Sequence, residues 1–313
     1  MAGPLGQLRK LLGFVANQRK RSAADESAAR EFNWSGADLP PGLELQWLGT
    51  SGFRLTYEDH SIIIDPYLTR VPMSDIFRGW ARPASAPLIN RHIPGKADAI
   101  LIGHTHFDHA YDTPYLARRD GCKAYGSRSL GALMALYDQA DQWVDVENYR
   151  VYEIGPFEVT FVPSVHSKLV LGLTVPFKGD ICCEHFDQLT PNAYSCGQVY
   201  GIHIRVAGVT FYHQGSADLI EDAIRHSNVD YFLAGIAGRG FTKRYTERIS
   251  RLLEPRVVVP HHYDDFFAPI DEPMKFSFNV NLAGFVEEVW AVSKDFEIKA
   301  LESLQAVSGP STP

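Results

Sequence analysis

Residues 104–109 read His104-Thr105-His106-Phe107-Asp108-His109, three imidazoles and a carboxylate within one short stretch. Neutral imidazole and carboxylate are the preferred ligands of zinc and similar divalent cations. The preceding residues, 99–103, are apolar or small, as in a buried strand. A strand that opens into a turn can aim several side chains at one point. His104 and His106 alternate with Thr105, so an extended turn points both the same way. Asp108 and His109 follow at a spacing that reaches a second, adjacent metal. The stretch therefore reads as a metal centre.

The elements that must position it follow from periodicity and turn residues. Residues 43–48, 53–57 and 61–64 alternate or run apolar between Gly, Ser and Asp turns, giving three short strands before the metal motif. Residues 71–96 form a long segment rich in Pro, Arg and aromatics, in which Ile76, Phe77 and Trp80 can cover an apolar substrate. After the motif come a helix over 112–118 with Pro114 in its first turn, a strand at 123–126 and a helix capped by Ser127. Hairpins are predicted at 149–163 and 198–213, turning at Gly155-Pro156 and Ala207-Gly208. Between them, residues 169–197 interrupt the pattern, and Glu184, His185 and Asp187 there read as a solvated loop. A strand at 229–234, a helix at 242–253, a strand ending in Pro260-His261-His262-Tyr263, a helix at 279–290 and a strand at 296–301 complete the order. Leu5, Leu8, Leu11, Leu12 and Val15 fall at helical spacing among Arg and Lys. The expected organisation is an N-terminal amphipathic helix and linker over 1–42, one domain over 43–303 and a disordered tail over 304–313.

Composition bounds the function. A chain of 313 residues with 45% hydrophobic content can bury a large core, and a formal charge of −7 argues against a general nucleic-acid binder. Cys122, Cys182, Cys183 and Cys196 have no CxxC spacing and read as thiols of a reducing, cytoplasmic compartment. No run of about 18 apolar residues suggests a membrane span.

His-Thr-His-Phe-Asp-His resembles the HxHxDH signature of the metallo-β-lactamase superfamily. The stretch from Trp47 through Asp65-Pro66 is similar to the opening of the branch holding ascorbate-6-phosphate lactonase-like and N-acylphosphatidylethanolamine phospholipase D-like proteins. The resemblance implies an α/β fold: an αββα sandwich, two mixed sheets with helices on the outer faces. It implies that His166, past a strand end after Pro-Ser, completes a three-histidine site with His104 and His106. It assigns His262 to a second metal with Asp108 and His109, and makes Asp65 a partner that orients a ligating histidine. One position departs from the pattern. In Tyr212-His213-Gln214-Gly215-Ser216-Ala217-Asp218 the superfamily's bridging aspartate is replaced by Ser216, a poor ligand. The site is then mononuclear, or Asp218 supplies the carboxylate, or two metals share only a water-derived bridge.

The expected function is a metal-dependent hydrolase with one or two Zn2+ ions, Mn2+ or Fe2+ being tolerated, acting on an ester, lactone or phosphodiester. Asp108 is the expected catalytic base or acid. Arg239, Lys168 and Tyr263 are the expected substrate contacts, with Lys243 near a small anionic substrate. The partner is a small-molecule or lipid substrate. The alternatives are a phospholipase D-like enzyme, with residues 1–22 touching a membrane, and a non-catalytic metal-binding protein of the same fold.

Overall fold

The computed structural model describes residues 18–36, 38–168, 174–277 and 280–310, with side chains from residue 22 onward. Two seven-stranded mixed sheets face each other. The first runs β14-β1-β2-β3-β4-β5-β6, from β1 (Leu43–Gly49), β2 (Gly52–Tyr57), β3 (His60–Ile64), β4 (Ala99–Leu101), β5 (Lys123–Gly126), β6 (Trp143–Asp145) and β14 (Ala306–Ser308). The second runs β13-β12-β11-β10-β9-β8-β7, from β7 (Val151–Ile154), β8 (Phe157–Ser164), β9 (Val199–Val206), β10 (Val209–Gln214), β11 (Tyr231–Gly235), β12 (Val257–His261) and β13 (Glu297–Ile298). In each sheet hairpins build an antiparallel half, and crossovers build a parallel half, β3 to β6 and β10 to β13.

Strand alternation decides which face meets which layer. Ile62, Ile64, Ala99 and Leu101 point into the inter-sheet core with Phe161, Ile202 and Leu233, while Ile63, Ile100 and Ile102 point outward. The outward set packs under Ile89 of α3 (Ala86–His92), Leu116 of α5 (Thr113–Asp120) and Leu130, Leu133 and Met134 of α6 (Arg128–Leu136). On the other side α7 (Tyr245–Leu253) and α8 (Leu282–Val292) cover the second sheet with Ile249, Leu253, Phe285 and Val289. The αββα sandwich expected from the sequence is the observed fold.

The domain boundaries differ from expectation. The helix α1 (Gln18–Glu31) lies against α8, where the buried Asp25 carboxylate accepts the Ala283 N–H at 2.9 Å. Trp34 and Leu39 are buried in the main core, and Trp34 stacks on Tyr231 at 5.8 Å. Residues 22–36 and 38–42 are therefore part of the domain rather than a linker to it. Within the expected 304–313 tail, residues 306–308 are instead ordered: β14 pairs antiparallel with β1 and buries Val307. A strand of three residues offers one inward side chain, too little alternation to recognise in sequence. The amphipathic stretch 5–15 lies outside the described residues. Among those described, no helix is long and apolar enough to cross a membrane, and the four cysteines are free.

Because Trp34 is wholly buried against the second sheet, Trp34→Ala is expected to cost about 3–5 kcal/mol in urea unfolding. A loss under about 1 kcal/mol would show the N-terminal segment to be peripheral.

Candidate metal centre

The site lies where strands of both sheets end. The β4 strand leads through Gly103 into His104 and His106, and the short helix α4 (Phe107–Ala110) carries Asp108 and His109. His166 follows β8, and His262 follows β12. Ligand atoms of His104, His106 and His166 lie within 4.8 Å of one another, as do those of Asp108, His109 and His262. The two groups adjoin, with the His104 and His109 ring centroids 3.8 Å apart.

Hydrogen bonds assign the free nitrogens. His106 donates from Nε2 to the Pro176 carbonyl at 3.0 Å, leaving Nδ1 as a lone pair 3.1 Å from His104 Nε2. His166 donates from Nδ1 to the Ser167 carbonyl, and His109 from Nδ1 to Asp65 Oδ2, both at 2.7 Å. His109 Nε2 and His262 Nε2 stand 3.8 and 3.3 Å from Asp108 Oδ2. A buried carboxylate that fixes ring orientation and raises ligand basicity is the usual support of a ligating histidine. Asp65 makes with His109 the contact that its expected role requires.

The electrostatics of the two groups differ. Burial pushes His104 well below its ordinary value, His106 down to about 4 and His166 down to about 3, each with neighbouring histidines adding to it. All three are thus neutral near pH 7, the form that binds metal. Burial pushes Asp108 up, but His109 and the hydrogen bond from His262 outweigh it and hold the carboxyl below the usual range. Burial pushes His109 down, and Asp108 and Asp65 reverse this. The Nδ1 atoms of His104 and His262 are buried without a hydrogen-bond partner. His104 Nε2 and His106 Nδ1 face each other at 3.1 Å with His166 beside them, three neutral imidazoles converging as the ligands of one cation would, so the donor set suits a metal.

The supports are tightly built. Asp65 and His262 hold φ at +42° and +61°, the left-handed region, which costs about 1–3 kcal/mol per residue and persists only where the surroundings impose it. Asp65 Oδ1 accepts the Gly103 N–H at 2.7 Å, and the His262 N–H donates to the Thr50 carbonyl at 2.8 Å. Thr50 in turn donates its N–H to Asp264 Oδ1 at 2.8 Å, and Asp264 Oδ2 takes Arg70 at 2.7 Å in a buried ion pair. Gly215 allows a close approach: a Cβ there would stand 3.0 Å from Asp65 Oδ2 and 2.8 Å from Ser51 Oγ.

Several expected site residues lie elsewhere. Asp218 belongs to neither group; its half-buried carboxylate accepts the Leu219 N–H at 2.9 Å and faces Arg248 at 3.8 Å. Tyr263 is fully buried, donating to the Leu301 carbonyl between Trp47 and Phe276, so it packs rather than touching substrate. Arg239 is buried against Glu288 and the Asn281 carbonyl. With Lys243 it lines a separate cavity of about 430 Å³. Lys168 is exposed and lines no cavity found at the metal centre. His261 stacks on His213 inside the core at 5.0 Å, and Glu184, His185 and Asp187 are exposed. Ser216 does reach the site, where its hydroxyl accepts the Ser167 N–H at 3.0 Å.

A cavity of about 640 Å³ opens onto both groups, with His106, Asp108, His166 and His262 in its lining. The 174–197 segment supplies Pro176 and Phe177 to one wall. Phe266 and Phe267, just past His262, form another; the aromatic pair directly after the histidine motif was the available sequence signal for it.

A two-sheet sandwich with a histidine and aspartate cluster at its strand ends defines a class of metal-centred proteins. Residues 44–262 match the Beta-lactamase superfamily domain, and the chain belongs to that family. A UPF0173 metal-dependent hydrolase of Archaeoglobus fulgidus is 26% identical over 258 residues, covering 79% of this chain and 94% of that protein. Another, from Pyrococcus horikoshii, is 28% identical over 271 residues, covering 82% and 99%. Igni18, a metallo hydrolase from Ignicoccus hospitalis, shares the fold with a TM-score of 0.54 at 19% identity, over 85% of this chain and 97% of that one.

Asp65→Asn keeps the shape of the side chain but removes the charge facing His109. Metal affinity, measured by competition with a chromophoric chelator, is expected to fall about 10–100-fold. An unchanged affinity would deny Asp65 that role.

Proposed function

We propose that this chain is a metal-dependent hydrolase acting on an ester, lactone or phosphodiester of a small molecule or lipid. The observation carrying the reading is the junction of two three-ligand groups at the floor of one open cavity. His104, His106 and His166 would hold one cation, and Asp108, His109 and His262 a second. Zn2+ suits the donor set best, and Mn2+ or Fe2+ would be tolerated. Divalent cations held there supply Lewis-acid polarisation of a substrate oxygen and a water acidic enough to attack near neutral pH.

The chain's own residues do the remaining work. Asp108 is ionised, borders the cavity and directs Oδ2 toward His262 and His109. Its carboxylate would accept the proton of the attacking water and return it to the leaving group. Asp65 keeps the His109 ring fixed while charge shifts at Asp108. Pro176 and Phe177 cover His106 and limit bulk water at the reacting end.

Ser216 favours a second reading, a metal-binding protein without catalysis, because it leaves Asp108 as the only carboxylate in the two groups. Chelator-sensitive hydrolysis of a panel of p-nitrophenyl esters, lactones and bis(p-nitrophenyl) phosphate separates the two. The metal-loaded protein is expected to hydrolyse at least one, with Asp108→Asn lowering kcat about 10²–10⁴-fold. Metal-loaded protein inert toward the whole panel would support the binding protein instead.

A further inference from the structure

Resting on the hydrolase reading, we propose that the substrate carries, beside its scissile bond, an extended alkyl or aryl group free of anionic charge, which fills the cavity above the ligand groups. The cavity's walls are Met73, Ile76, Phe107, Phe177, Phe266 and Phe267. Its volume of about 640 Å³ lies within the range of small-molecule sites. Because His106, Asp108, His166 and His262 share this lining, an occupant of the apolar part places its other end at the metal ligands.

Charge narrows the class further. Among the described residues no Lys or Arg lines this cavity, and the charged side chains there are the carboxylates of Asp108 and Asp265. One Asp265 oxygen accepts the Phe267 N–H at 3.2 Å, so the residue is held in place at the wall. A phosphate or carboxylate on the substrate's apolar arm would be desolvated beside Asp265 with no cation to pair it, an unfavourable arrangement. The cations that sequence alone offers to an anionic substrate, Arg239 and Lys243, line the separate cavity, which shares no residue with this one.

The apolar character continues past the mouth. Met73 and Phe177, both in the lining, are 44% and 39% exposed, and Phe77, next to the lining residue Ile76 on the helix α2 (Met73–Arg78), is 83% exposed. Large apolar side chains grouped at a cavity mouth mark a surface that a ligand covers. An alkyl arm longer than the cavity would lie along this rim.

The test is calorimetric titration of the zinc-reconstituted full chain with three hydroxamic acids sharing one metal-binding head. Acetohydroxamate has no arm, octanohydroxamate has an apolar arm, and the monohydroxamate of octanedioic acid has an arm ending in carboxylate. Each buried methylene contributes about fourfold in affinity. Octanohydroxamate is therefore expected to bind at least about 30-fold tighter than acetohydroxamate and at least about tenfold tighter than the carboxylate-ended compound. The double variant Ile76→Ser/Phe267→Ser should lose most of that gain and keep its affinity for acetohydroxamate. Equal binding of acetohydroxamate and octanohydroxamate by the unaltered protein would overturn the inference while leaving the hydrolase reading intact. So would tightest binding of the carboxylate-ended compound. Failure of all three to bind zinc-loaded protein would remove the hydrolase reading, and this inference with it.

Discussion

The site depends on one buried carboxylate. Asp65 is wholly inaccessible, and its two oxygens are divided between the Gly103 N–H and the His109 ring. Its own N–H is taken by the Leu101 carbonyl, which holds the residue at a positive φ at the end of β3. The contact joins the third strand to the turn that carries four of the ligands. Gly215, from the opposite sheet, packs directly on the same carboxylate. Removing one member of a buried, hydrogen-bonded pair costs about 3–5 kcal/mol. The strain at Asp65 therefore persists because satisfying this carboxylate outweighs it.

From that contact the logic of the two sheets follows. Each has an antiparallel half made by hairpins and a parallel half whose strands end on the same side. The candidate ligands come from the ends of β4, β8 and β12, so neither sheet alone makes the site. The Arg70–Asp264 pair performs the matching task at the far end. It locks Thr50, which fixes the backbone of His262 in its left-handed turn. Packing of the two sheets thus brings the ligand groups together, and the 640 Å³ cavity opens onto them.

How much of this is legible in the sequence depends on range. The ligand turn is local: alternation of His104 and His106 around Thr105 predicts two rings on one side, and the structure brings them there. His166 and His262 are identifiable only by resemblance, because their meeting with that turn is set by the fold. Asp218 illustrates the limit. Its position two residues past Ser216 suggests a replacement ligand, yet the chain turns at Ala217, and the carboxylate caps the Leu219 N–H instead. Arg239 and Tyr263 carry chemically useful groups, but their partners, Glu288 and Leu301, lie 49 and 38 residues away. The pairing of Arg70 with Asp264, 194 residues apart, leaves no local trace at all. The β14 strand is hidden for the opposite reason, being too short to show a period.

The two adjacent groups, six side chains in all, would hold two cations without a bridging aspartate. The most direct test is metal content per chain, by plasma mass spectrometry, on protein purified without chelator and then reconstituted with zinc. The unaltered chain is expected to hold close to two ions, with His106→Ala and His262→Ala each reducing the count to about one. Retention of a single ion by the unaltered chain would show that Ser216 has dissolved the second site. Binding of none, after zinc, manganese or iron has been offered in turn, would contradict the account altogether.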